Sequence, residues 1–238
     1  MGLQPVPPQD STTGPHHSEH QLAQTAGSAK ELGHNEARAA LVEAALSVIS
    51  TEGAAAMHPK ELCIELGISR SLVNFHFDGR DGLVAEAMAL GYERYVEELE
   101  RVAGAAGPDP LDRLLAWVDR QIDWTIANPG LAAALNFQRE ASSIVGDMQP
   151  DAAARLEHTG LRNFENLRFL VGAVRESRGG SVDAATVALD GAMVGWLTLG
   201  LSVWLSGRHI PTRMLNVPDQ VEIARARVRQ MIISMVGA

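Results

Sequence analysis

The chain has 238 residues, 46% of them apolar and 21% charged, and its 20 Lys and Arg against 29 Asp and Glu give a formal net charge of −9. Such a composition suits a soluble globular chain of one large or two small units. It excludes a wholly disordered, collagen-like or disulfide-stapled protein. The single cysteine, Cys63, excludes an intramolecular disulfide and a multi-cysteine metal site, and the acidic total taken alone argues against a nucleic-acid binder.

Residues 1–34 read as a disordered arm. Pro5, Pro7, Pro8, Ser11 and Thr12 break any periodicity, and His16, His17 and His20 are solvated rather than metal-binding on this reading. The arm has neither the basic start nor the apolar run of a secretory leader. From there the sequence predicts helices throughout. Ala37, Leu41, Ala44, Ala45, Val48 and Ile49 recur at helical spacing up to Gly53. Short helices follow over Pro59–Leu66, ended by Gly67, and Ser69–Phe77. A long one over Gly82–Val102 carries Leu83, Val84, Ala87, Met88, Gly91, Tyr95 and Leu99 on one stripe. Gly104–Pro110 is a Gly/Pro break and marks a domain boundary.

Beyond the break, Leu111, Leu114, Leu115, Val118 and Ile122 mark a helix that stops near Asn128-Pro129-Gly130. Others are expected over Leu131–Val145, Asp151–Arg178 and Val182–Ser206, and the last starts at Pro218. No alternating run is long enough for a strand. The fold class is therefore all-α, a three-helix head on a larger helical body. The segment Gly191–Gly207 carries no charge but is short of the ~20 consecutive apolar residues of a membrane span, and Asp190 adjoins it. A buried helix is expected, not a membrane anchor.

The head holds the most specific pattern. Two short helices around a tight turn, after a packed first helix, make a helix-turn-helix. Pro59 suits the first helical position, and Glu61 stands three residues after His58 as in a capping box. Gly67 permits a left-handed stop, and Ser69 is placed to cap the second helix. Leu62, Leu66, Ile68, Leu72 and Val73 fill a small core, with Cys63 as a small filler, leaving Arg70, Ser71, Asn74 and Phe75 outward. Arg suits guanine and Asn suits adenine in the major groove, while a serine at a helix N-terminus suits a phosphate.

From Arg38 to about Met88 the sequence resembles the DNA-binding head of the TetR family of bacterial one-component repressors. The resemblance rests on Glu52-Gly53, the turn Gly67-Ile68-Ser69, the element Phe75-His76-Phe77, and Asp78-Gly79-Arg80-Asp81-Gly82-Leu83. Asn74 stands where Tyr is commonest, Arg80 replaces Lys, and His58 replaces a Thr cap. Carried over, the resemblance implies phosphate contacts near His58, Ser69, His76 and Arg80. It implies base or groove contacts from Lys60, Arg70, Ser71, Asn74 and Phe75. It also implies a double-stranded DNA operator, a small-molecule effector, a homodimer, a bacterial cytoplasmic setting, and no cofactor or metal. The domains follow as arm 1–34, head 35–82, connecting helix 83–106, and ligand-binding and dimerisation domain 107–238.

Residues 30–81 hold five basic and eight acidic side chains, a net −3, yet no acid occurs between Glu65 and Asp78. The donors thus cluster on the reading surface, and binding should weaken steeply with salt as counterions are released. In the body, the chargeless run and the Val221–Val236 stripe suit a four-helix bundle with a second copy. Gly191, Gly195 and Gly200 would allow close approach, and the Val221–Val236 stripe lies opposite Arg225, Arg227 and Arg229. Trp117, Trp124, Phe137, Phe164, Phe169, Met193 and Trp196 are candidates to line a hydrophobic effector pocket, with Asn136, Gln138, Arg139 and Glu140 as polar handles. No GxSxG, HExxH, P-loop or GxGxxG motif occurs, so no enzyme is expected. The competing reading is a helical protein-interaction module with a degenerate head.

Overall fold

The computed structural model describes residues 33–136, 150–205 and 219–237. Two compact units are distinguished, residues 1–36 and residues 37–238. Most of the N-terminal arm, the second half of the helix expected over Leu131–Val145, and the start at Pro218 lie outside the described residues, as do Phe137, Gln138, Arg139 and Glu140.

Among the described residues the regular structure is helical. In chain order the helices are α1 (His34–Glu52), α2 (Pro59–Leu66), α3 (Ser71–Phe77), α4 (Arg80–Ala105), α5 (Pro110–Ala127), α6 (Pro129–Asn136), α7 (Pro150–Ser177), α8 (Ala184–Leu205) and α9 (Gln220–Val236). A short 3-10 turn, Ala54–Ala56, follows α1 and is not foreshadowed by the periodicity. Local chemistry sets several ends. Pro59 opens α2, and Asp109 caps α5 by accepting the Leu111 N–H at 2.9 Å. Gly67 closes α2 in the left-handed region at φ 65°, where a Cβ would be strained, and the Ile68 N–H returns to the Cys63 carbonyl at 3.0 Å.

Among the described residues, two large hydrophobic clusters and a small third one of Ala85, Ala89 and Ala152 fill the 37–238 unit. One joins α1–α3 to the start of α4 through Leu41, Ile49, Met57, Val73, Phe77 and Leu83, and it also takes in Leu131 and Leu135 of α6. The other joins the rest of α4 to α5, α7, α8 and α9 through Leu99, Trp117, Ile122, Val171 and Ile232. Tyr92 and Trp124 pack against both. The core around the head therefore reaches past the Gly104–Pro110 break. A Cβ on Gly130 would collide with the Ile49 carbonyl and the Gly53 backbone, so only glycine lets α6 approach the end of α1 this closely.

Helix α8, which carries no charge after Asp190, is not wholly buried within one copy of the chain. By length and composition it could cross a membrane, and only 28% of its apolar window is buried inside the structure. Its buried hydroxyls are satisfied within the helix, Thr198 donating to the Val194 carbonyl and Ser202 to the Thr198 carbonyl, each at 2.7 Å. Leu189, Met193 and Trp196 face outward. The glycines also differ from their expected role. Gly191 and Gly195 lie against Arg168 and Leu167 of α7 in the same chain, and only Gly200 faces open space. The α9 stripe likewise divides, with Val228, Ile232 and Val236 in the chain's own core and Ile223 and Met231 outside. Arg225 and Arg229 reach Asp123 and Asp119 of α5, the first pair at 2.5 Å.

Candidate nucleic-acid interface

The outward surface of the head is set by the roll of α3. Val73 and Phe77, four residues apart, are buried, and the Arg38 guanidinium lies 5.4 Å from the centre of the Phe77 ring. The opposite side of a helix so anchored must face solvent. Arg70, Ser71, Asn74 and Phe75 are exposed there, as is Ser69 in the preceding turn. The turn is held by serines. The Ser71 N–H donates to the Ser69 hydroxyl at 3.3 Å, and the two hydroxyls lie 2.8 Å apart. Ser69 thus satisfies a free N–H at the start of α3, although the regular helix begins two residues later than expected.

His58, Pro59, Lys60, Arg70, Ser71, Val73, Asn74 and Arg80 line one open groove of about 470 Å³ between the start of α2 and α3. Six of the nine residues expected at the interface meet there, and none of the lining side chains is acidic. Ser69 stands at the turn and Phe75 outside the groove. His76 is half-buried, its ring 4.8 Å from that of Phe75 and 5.9 Å from that of Phe77.

One local expectation is corrected. His58 has the extended backbone of a capping residue but makes no side-chain cap, so the capping box with Glu61 does not form; Pro59 already removes one N–H that would need a partner. Arg80 is held by the protein itself. Its Nε donates to the Met57 carbonyl at 3.1 Å, one terminal nitrogen reaches the Ala54 carbonyl, and the other pairs with Asp81 at 3.0 Å. The guanidinium fastens the 3-10 turn to the start of α4 and shapes the groove wall. Sequence reasoning missed this role, because the acceptors are backbone carbonyls more than 20 residues away. Cys63 is buried as expected, and burial pushes its thiol up against the pull of the nearby Arg70 cation, which suits a core filler rather than a reactive thiol.

The described candidates for the effector pocket differ in burial. Trp117 is packed solid in the body core at 1% exposure. Trp124 packs on Tyr95 with ring centres 4.2 Å apart, where the two clusters meet. Phe164 and Met193 are partly exposed, and Phe169 and Trp196 more so, Trp196 at 68%. Large apolar residues at helical spacing look alike in sequence whether they fill a core, line a cavity or face outward.

A charge ladder on α4 also went unread in the sequence. Glu86, Glu93 and Glu100 recur every seven residues and meet arginines of α7. Arg155 takes Glu93 in a two-pronged pair at 2.6 and 2.8 Å, and Arg162 takes Glu100. Glu86 is shared, since its Oε2 accepts from Arg155 of α7 at 3.1 Å and from Arg38 of α1 at 2.9 Å. Heptad spacing on α4 and on α7 (Arg155, Arg162) could have suggested the pairing once the helices were known to be neighbours.

No family model matches the chain, and no curated protein matches its sequence. Solved structures do match. A bacterial regulatory protein in the TetR family from Rhodococcus RHA1 is 20% identical with a TM-score of 0.57, over 85% of this chain and 98% of that one. The TetR family transcriptional regulator PfmR from Thermus thermophilus is 20% identical with a TM-score of 0.55, over 82% and 97%. The transcriptional regulator FadR from Bacillus subtilis, in complex with stearoyl-CoA, is 11% identical with a TM-score of 0.59, over 84% and 98%. Nearly the whole of each of these regulators is matched, and the chain has the all-α fold of TetR-family transcriptional regulators.

Proposed function

We propose that the chain is a ligand-responsive DNA-binding transcriptional repressor, which binds a palindromic operator as a homodimer and is released by a small hydrophobic effector. The observation that carries this reading is the acid-free groove of the head, lined by Lys60 at the start of α2 and by Arg70, Ser71 and Asn74 on the exposed side of α3. Arginine and asparagine supply the paired donors and acceptors that base edges in a major groove require, Lys60 adds a cation to the same groove, and Ser69 at the turn suits a phosphate. The outward apolar face of α8 and α9 supports pairing of two copies, which would present two heads to half-sites about one helical turn, ~34–36 Å, or a multiple apart. A cytoplasmic location and the absence of catalytic activity belong to the same reading.

The effector class is supported by the stearoyl-CoA complex of the Bacillus subtilis structure and by the apolar body. An effector held among the body helices would shift α4, whose carboxylates grip α7 on one side and Arg38 on the other. DNA affinity falls to the extent that the effector prefers the shifted state.

The test is a gel shift on the DNA flanking the protein's own gene. Arg70→Ala and Asn74→Ala are each expected to weaken specific binding about ten- to hundred-fold, the worth of one two-pronged base contact. Native binding should also fall steeply with added salt. A helical interaction module would be indifferent to both substitutions and to salt, and that result would replace this reading.

A further inference from the structure

Phe75 is the most exposed large apolar side chain among the described residues, at 73%, and it stands in the middle of a polar surface. We propose that Phe75 is a specificity-determining contact that reads the 5-methyl group of a thymine in the operator. The proposal rests on the DNA-binding reading above.

Its geometry follows from the roll of α3. Successive helical residues turn about 100°, so Phe75, two residues from each of the buried Val73 and Phe77, lies about 180° from the stripe that anchors the helix. Ser71, four residues earlier, shares that apex. Asn74 and Arg70 sit to one side and line the groove with His58, Lys60 and Arg80, whereas Phe75 does not line it. The helix therefore has a polar flank and an apolar crest. In a major groove the crest of such a helix goes deepest, toward the base edges, while Arg70 and Asn74 on the flank reach base edges beside it.

A phenyl ring at the crest offers no hydrogen bond. The floor of the groove presents hydrogen-bonding groups from every base pair, and the apolar group it adds is the thymine methyl. Exposing such a ring in the free protein costs hydrophobic free energy that contact with a methyl recovers. The ring is also pre-positioned. It meets the half-buried His76 ring edge-on at 78° with centres 4.8 Å apart, which limits its swing before DNA arrives.

The experiment begins by selecting binding sites for the full chain from a randomised duplex library. In the enriched sequence each thymine is then replaced by uracil, which removes the methyl and keeps the base pairing. At one position per half-site, uracil should weaken native binding about four-fold, the worth of one buried methyl, and about fifteen-fold when both half-sites are changed. Phe75→Ala should bind the thymine and uracil duplexes equally. Phe75→Leu should keep part of the difference, which guards against loss through misfolding. The proposal is overturned if no thymine is sensitive to uracil, as a sugar–phosphate contact or a protein partner for Phe75 would give, or if Phe75→Ala shows the same sensitivity as the native chain. A library that enriches no sequence would instead overturn the DNA-binding reading, and this inference with it.

Discussion

The crest of α3 and the outward side of α8 both expose large apolar side chains, but in opposite settings. On α3 a single Phe75 stands among Arg70, Ser71 and Asn74 beside a groove without acids. On α8, Leu189, Met193 and Trp196 follow one another along a helix that carries no charge from Gly191 to Leu205. The first setting keeps water-compatible donors around one apolar knob, as a nucleic-acid groove requires. The second suits a protein surface that must lose its water altogether. Exposure of an apolar residue is thus not one signal, and its neighbours decide the partner. The net charge of −9 conceals both faces, because it averages an acid-free reading surface with the carboxylates of α4.

The sharpest way to break this comparison is to charge the second face. Trp196→Glu is expected to leave helicity intact, to yield a monomer in sedimentation, and to weaken operator binding at least hundred-fold by ending simultaneous use of two half-sites. Trp117→Ala supplies the contrast. That side chain is 1% exposed, so the substitution should cost about 3–5 kcal/mol in urea unfolding through the cavity it leaves. If the two tryptophan variants lose equal stability, the α8 face is core and the distinction fails.

Much of the head was legible because its signals are local. Pro59 and Gly67 bound α2 at the expected residues, and both act through their own backbone. The body was legible as helices but not as surfaces. Met193 and Trp196 carry the same apolar character whichever way α8 rolls, and the roll is fixed by packing on α5 and α7, residues far away in sequence. The place of Leu131 and Leu135 in the head core was hidden for the same reason, since the contact depends on Gly130 meeting the end of α1. Arg80 was read as a phosphate ligand because its type suits one. Its hold on Ala54 and Met57 needs the tertiary structure.

Arg80 gives the next test, on the groove side of the comparison. Arg80→Met keeps the apolar stem but removes the guanidinium hydrogen bonds to the Met57 and Ala54 carbonyls, and it should cost about 1–3 kcal/mol in urea unfolding. Arg80→Lys should recover part of that, because one ammonium cannot span the same acceptors. Unchanged stability in both would mean that the 3-10 turn holds itself and that Arg80 acts on DNA alone.

Glu86 sharpens the link between the two regions. Its carboxylate is 12% exposed while its partners Arg38 and Arg155 are 42% and 37% exposed, so solvent screens much of each pair. Glu86→Gln should therefore cost only about 1 kcal/mol. The more telling quantity is additivity. Arg38→Ala and Arg155→Ala lie on different helices but share one acceptor, and their double variant should depart from the sum of the singles by about 0.5 kcal/mol or more. Strict additivity would show that Glu86 serves each arginine independently and carries nothing between α1 and α7.

The smallest effect concerns the start of α8, and it separates the helix from its surface. Asp183 accepts the Thr186 N–H at 3.0 Å and the Ser181 hydroxyl at 2.8 Å. The Thr186 side chain and backbone, with Ser181, hold its carboxyl at about 2, below the ordinary aspartate value of 3.8. A depressed carboxylate of this kind stabilises the folded state fully above the ordinary value, and the contribution is lost as pH falls through the folded one. The stability difference between native protein and Asp183→Asn should therefore be constant at neutral and mildly acidic pH. Its pH-dependent part should shrink below about pH 4 and be lost as pH falls through about 2. Other carboxylates, such as Glu43, which its hydrogen bond to Arg94 holds below the ordinary value, are common to both proteins and cancel in the difference. A difference that does not change with pH would mean that neutral asparagine caps α8 as well as the carboxylate does. The cap would then act through its hydrogen bonds alone, without help from the charge at the helix N-terminus.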